Sequence, residues 1–227
     1  MSRALRSVFP GARASGEPPR GRSAQARWTV AVGSTTLLAG GLLMASSGTA
    51  SATTHVHATY KVTGSTFLKA PNFTLQLGPR KLSANLTPST GKLTATLSLP
   101  DATGSFLQFG VIPVTATTRF INDGPTTGKL NLSTGAVKTT SKITLRIVSL
   151  SVSGINVPAG DSCETSSAVV ATLKSQPGFN VLKGGKVAGS YTIPQFQNCG
   201  LATALINLTI PGSGNTISLK LGKAKIG

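Results

Sequence analysis

Leu82-Ser83-Ala84-Asn85-Leu86-Thr87-Pro88-Ser89-Thr90-Gly91-Lys92-Leu93-Thr94-Ala95-Thr96-Leu97-Ser98-Leu99 is the stretch whose reading decides the fold. Leu82, Ala84 and Leu86 alternate with polar neighbours, and so do Leu93, Ala95, Leu97 and Leu99. Residues 87–92 between the two runs contain Pro and Gly. Period-2 alternation on both sides of such a loop is the pattern of an antiparallel hairpin with one buried face.

The same pattern extends in both directions. Phe73, Leu75 and Leu77 read as a shorter strand just before the hairpin. Near the C-terminus Ile206, Leu208 and Ile210, then Pro211-Gly212-Ser213-Gly214-Asn215, then Ile217, Leu219 and Leu221 read as a second hairpin. From 137 to 147 the apolar side chains fall on odd positions (Val137, Ile143, Leu145, Ile147), and from 148 to 152 on even ones (Val148, Leu150, Val152). A change of parity inside one apolar run signals a β-bulge or a strand passing between sheets, or else two strands meeting at a tight bend. Thr-Gly-Lys-Leu occurs at 90–93 and again at 127–130, and residues 85–93 echo 131–137. The echo reads as shared turn chemistry rather than duplication of a hairpin unit, since it does not extend into a fixed period.

Composition agrees with strands. Residues 53–227 hold 26 Thr, a β-branched residue suited to the outer face of a sheet. No stretch carries a capped apolar stripe at 3.6-residue spacing. The expectation is an all-β chain, an antiparallel β-sandwich or closed barrel of about ten to twelve short strands with one disulfide. A sandwich fills its interior, whereas a barrel of about eight strands can enclose a ligand. Seven Phe, two Tyr and many small Ala, Val and Leu suit either one.

The first 52 residues read as an export signal. Arg3, Arg6, Arg13, Arg20, Arg22 and Arg27 precede an apolar stretch from 28 to 44, and Ala50-Ser51-Ala52 supplies a small-residue cleavage motif. Gly33, Ser34, Thr35, Thr36, Gly40 and Gly41 interrupt the apolar stretch, which is short of the ~20 residues of a spanning helix. Cleavage after Ala52 leaves 53–227 as a single all-β domain without a transmembrane segment, in an exported protein possessing no lipid-attachment cysteine at its new N-terminus. Leu99-Pro100-Asp101-Ala102-Thr103-Gly104 reads as a turn between strands.

With the six leader arginines and Glu17 removed, 16 basic and four acidic residues remain, a net charge of +12. Such a surface attracts anionic polymers or lipid headgroups. Arg80-Lys81 is the only adjacent basic pair and Lys220, Lys223 and Lys225 form the densest cluster, so the charge reads as dispersed. No basic stripe interleaved with aromatics and no DNA- or RNA-binding motif points to nucleic acid.

Cys163 and Cys199 are the only cysteines, and in an exported chain they pair as a disulfide joining two loops. No base stands near either in sequence to make a reactive thiolate. Asp161 and Glu164 flank Cys163; two acids alone match no calcium-loop spacing and read as a solvated loop. His55 and His57 with a new α-amino group form at most an adventitious metal site, and otherwise a polar tail leading into a strand at Tyr60-Lys61-Val62. No nucleophile elbow, zincin helix, phosphate loop or Cys-x-x-Cys occurs. A serine hydrolase would need His55 or His57 as its base. A glycosidase would need two carboxyls drawn from Asp101, Asp123, Asp161 and Glu164. Catalytic, cofactor-binding and metal-ligating residues are therefore assigned to none.

Tyr60-Lys61-Val62-Thr63-Gly64-Ser65-Thr66, Gly160-Asp161-Ser162-Cys163 and Asn198-Cys199-Gly200-Leu201 resemble segments of small exported β-proteins of high-GC Gram-positive bacteria. The resemblance implies export, a β fold and the disulfide, and it carries over no catalytic or binding residue.

The functional expectation is a secreted, non-enzymatic β-protein at or beyond the cell envelope, bound to an anionic envelope polymer or lipid. The alternative is a carrier of an apolar ligand, a lipid or polyisoprenoid, within a lumen or between sheets. Phe106-Leu107-Gln108-Phe109-Gly110-Val111-Ile112-Pro113-Val114 is then the candidate lining; otherwise it is a buried central strand ending at Pro113.

Overall fold

The computed structural model describes residues 54–227. The expected leader and its cleavage site lie outside the described residues. In chain order the strands are β1 (Val56–Leu68), β2 (Phe73–Thr87), β3 (Lys92–Leu97), β4 (Ala102–Gln108), β5 (Ile112–Asn122), β6 (Thr126–Leu130) and β7 (Val137–Val152). There follow β8 (Ile155–Asn156), β9 (Glu164–Thr165), β10 (Val169–Ser175), β11 (Gly185–Ile193) and β12 (Phe196–Gln197). A 3₁₀ turn (Gly200–Ala202) leads into helix α1 (Thr203–Thr209), and β13 (Gly212–Leu221) and β14 (Lys225–Ile226) complete the chain.

Eight of these strands close on themselves, in the order β1-β2-β3-β6-β7-β10-β11-β13 and back to β1, each antiparallel to its neighbours. The fold is a closed barrel. The hairpin expected over 82–99 is β2–β3, with Leu82 opposite Leu97, Ala84 opposite Ala95 and Leu86 opposite Leu93. Its turn and the one between β6 and β7, the two echoing segments, sit side by side, and the Leu130 amide donates to the Gly91 carbonyl at 2.7 Å.

The parity change in β7 is a β-bulge, not a passage between two sheets, since every strand belongs to one sheet. Thr117 pairs with Ser149 and Thr118 with Ile147, which leaves Val148 as an unpaired, exposed bulge residue. Before the bulge β7 runs between β6 and β10 in the barrel wall; from Ile143 onward it pairs with β5 of the flanking β4–β5 hairpin.

Two expectations are corrected. Residues 73–77 are not a separate strand: they begin the 15-residue β2, which an irregularity opposite Val62 and Gly64 allows to face the same interior on both sides. Gly78 sits there at φ +92°, and a β-carbon on it would come within 2.7 Å of the Val62 carbonyl oxygen. The first arm of the C-terminal hairpin is instead helix α1, and residues 212–215 of the expected turn are the start of β13, paired with β11. Residues spaced at i and i+4 decide the helix, with Ile206 and Ile210 buried in one core, while Leu208 points outward at 73% exposure. Three alternating apolar residues fit a strand or a helix turn equally, and tertiary packing selects between them.

Two cores result. One fills the far end of the molecule with Val114, Leu145, Ile147, Ile193, Phe196, Ile206 and the Cys163–Cys199 disulfide. The other lies inside the barrel around Val62, Leu75, Leu77, Leu173, Val187, Leu219 and Leu221.

Candidate functional site

The barrel interior is not filled throughout. Toward the end where β1 begins and β2 turns into β3, it holds a cavity of about 190 Å³ bounded by all eight wall strands. Small side chains leave the space open: Ala58 and Ala84 face it from the β1–β2 pair, Ala95 from β3 and Ala171 from β10. Larger apolar groups line the rest, among them Leu86, Leu93, Leu130 and Val137 near the rim. Leu99, Ile143, Ala171 and Ile217 form the floor, because they also border a smaller void of about 70 Å³ in the packed half.

Few polar side chains reach this lumen, and most are already satisfied by the protein. The Tyr60 hydroxyl donates to the Val181 carbonyl at 2.8 Å. Thr126 and Ser141 hydroxyls pair at 2.7 Å, and Asn122 donates to the Leu97 carbonyl at 3.0 Å, bridging the wall beyond the end of β3. The space therefore presents an almost wholly apolar surface to an occupant. Burial pushes the Tyr60 phenol above its usual pKa.

The β10–β11 loop forms a lip over one side of the mouth. Asn180 and Gly184 exchange backbone hydrogen bonds at 2.9 and 2.7 Å, and the Asn180 side-chain oxygen accepts from the Leu182 and Lys183 amides. Phe179 packs into the barrel core, and the Ala224 amide donates to the Leu182 carbonyl.

Outside, the wall is polar, and its lysines are ordered rather than dispersed. Each of the eight barrel strands contributes an outward-facing lysine to a belt around the mouth half. Lys92, Lys129, Lys138 and Lys174 are consecutive cross-strand partners over β3, β6, β7 and β10. Lys186 opposes Lys220 on β11 and β13, and Lys61 opposes Lys81 on β1 and β2. Among the described residues the ion pairs are Arg119–Asp101 at 2.7 Å and Arg146–Glu164 at 2.8 Å, so no belt lysine is in one. Like charges directly opposed across strands are destabilising. An apolar interior with a polar exterior is the reverse of the alternation in a bilayer-spanning barrel. Among the described residues no helix is long and apolar enough to cross a membrane.

The residues singled out from sequence fare differently. Cys163 and Cys199 form the disulfide and are both 0% exposed, in the packed half away from the lumen. Glu164 pairs with Arg146 instead of converging with Asp161. His57 Nδ1 lies 2.8 Å from Asn85 Oδ1 and His55 Nδ1 lies 3.2 Å from the Thr87 hydroxyl. His57 is already within β1, which starts at Val56 rather than near Tyr60 because it pairs with the far end of β2. The described residues contain no group of three potential metal ligands.

The expected lining at 106–114 is neither lumen wall nor one central strand. It is the β4–β5 hairpin outside the barrel, folded at Phe109-Gly110, with Leu107, Phe109 and Val111 exposed. A glycine at the second turn position and the β7 edge left free beyond β6 give that segment a place to pair. The lumen residues were overlooked because alternation shows which side chains face inward but not whether they meet at the centre.

Comparison with protein-family models, curated proteins and solved structures finds no match to this chain.

Proposed function

We propose that the protein is a non-enzymatic carrier of an apolar ligand, exported from the cytoplasm and acting at the cell envelope. The observation that carries this reading is the apolar lumen of about 190 Å³ at the mouth end of the barrel. An engineered apolar cavity of about 150 Å³ is large enough to admit benzene. This lumen suits a ring system or one segment of an acyl or isoprenoid chain, with the remainder leaving through the mouth. The buried disulfide supports action in an oxidising compartment. The lysine belt favours an anionic partner for the same end of the molecule.

The test uses N-phenyl-1-naphthylamine, whose fluorescence rises in apolar surroundings, with the exported protein and with Ala95→Leu and Ala171→Leu variants. Saturable binding lost in both variants, with the fold retained by circular dichroism, supports carriage. Equal binding by the filled variants removes the lumen as the site. Native mass spectrometry of the purified protein then identifies any resident lipid.

A further inference from the structure

The surface around the mouth has a character that lumen binding alone does not require. We infer that the mouth end docks on an anionic lipid bilayer, with the lysine belt against the headgroups and Leu132, Leu182 and Ile226 entering the interface. Leu132, Leu182 and Ile226 are 59%, 58% and 56% exposed. They come from three separate segments: the β6–β7 turn, the β10–β11 loop and β14. Leu182 and Ile226 border the lumen, so the exposed apolar groups and the opening share one end.

Charge selects the partner. Besides the eight belt lysines, Lys183 lies in the lip and Lys223 and Lys225 in the C-terminal segment, and Arg80 adjoins Lys81. The remaining basic residues in the described chain are Lys69, Lys142, Arg119 and Arg146, and the last two are ion-paired. None of the four acids is a cross-strand partner of a belt lysine: Asp101 pairs with Arg119, Glu164 pairs with Arg146, Asp123 accepts from the Thr144 hydroxyl, and Asp161 lies two residues before Cys163 of the packed half. Lysines held in register against mutual repulsion, without a neutralising carboxylate, form a surface whose complement is a plane of negative charge. A second copy presents the same positive ring and is repelled. A soluble polyanion would satisfy the lysines but leave three apolar side chains in water, whereas a bilayer satisfies both.

The opposite end offers an internal comparison. Leu107, Phe109, Val111 and Ile155 are exposed there, yet residues 102–118 contain no Lys or Arg. That tip is apolar without the charge that selects an anionic surface.

The experiment is flotation of the full exported protein with phosphatidylcholine vesicles, with and without phosphatidylglycerol. Binding only to the anionic vesicles is expected, weakened at least about tenfold in Lys129→Glu/Lys138→Glu and reduced by salt. Leu132→Ser/Leu182→Ser/Ile226→Ser also weakens it. The control Lys69→Glu/Lys142→Glu makes the same charge change away from the mouth and leaves binding unchanged, as does Phe109→Ser/Val111→Ser. Equal binding to both vesicle types, loss with the Phe109 variant, or binding to soluble polyphosphate that survives in the leucine variant while vesicle binding is absent would each overturn the inference. Vesicle flotation and dye binding in the lumen are read separately, so failure of either leaves the other standing.

Discussion

The Tyr60 hydroxyl donates to the Val181 carbonyl at 2.8 Å and so fastens the lip of the mouth to the barrel wall. Tyr60→Phe keeps the ring and removes the tether. The expected loss is about 1 kcal/mol, with faster amide exchange at residues 181–184 and unchanged exchange in β7. Hydrogen exchange measured by mass spectrometry decides it.

The same phenol makes stability depend on alkaline pH. Burial raises the pKa of Tyr60 and of Tyr191 above that of an unfolded tyrosine. The folded chain thus holds these protons more tightly, and the stability they contribute is fully present below about pH 10 and lost as pH rises through the folded values. Denaturant unfolding of the parent against the Tyr60→Phe and Tyr191→Phe variants should show a shallower alkaline decline in each variant.

The lysine belt lowers the stability of the isolated protein. Lys138 faces Lys129 on one side and Lys174 on the other. Lys138→Thr removes both contacts and should raise stability by about 0.5 kcal/mol. Added salt should raise the melting temperature of the parent more than that of the variant.

Removing the covalent link acts on the packed half. Cys163 and Cys199 are separated by 36 residues and are wholly buried. Cys163→Ala/Cys199→Ala should cost about 3–4 kcal/mol in chemical denaturation. The parent should resist dithiothreitol until denaturant exposes the bond.

At the β4–β5 turn, Phe109 adopts φ +52°, a left-handed conformation unfavourable for an aromatic residue, and its side chain is 73% exposed. Phe109→Asn suits that backbone and removes exposed apolar surface. An increase of about 0.5–1 kcal/mol is expected from equilibrium unfolding. Beside it, the Gln108 side-chain amide is buried without a hydrogen-bond partner among the described residues.

Several features were legible in the amino-acid order because their causes are local. The alternation at 82–99 specified β2–β3 and its register, since a one-residue slip would turn every leucine outward. The parity change at Val148 marked the bulge because a pleated strand cannot keep one face inward without it. The disulfide followed from there being two cysteines in a chain read as exported. Helix α1 was not legible: its three alternating apolar residues fit either period, and burial of Ile206 and Ile210 against the disulfide core decides the matter.

By itself the amino-acid order determined strand chemistry, the β2–β3 turn, an excess of positive charge and the cysteine pairing, all set by neighbours along the chain or by composition. Only the tertiary structure decided that the sheet closes, that Ala58, Ala95 and Ala171 leave a common void, and that lysines far apart in sequence become cross-strand partners around its mouth. Closure joins β7 to β10 and β13 to β1 across long sequence separations, and such pairings follow from packing the whole sheet at once rather than from any local pattern.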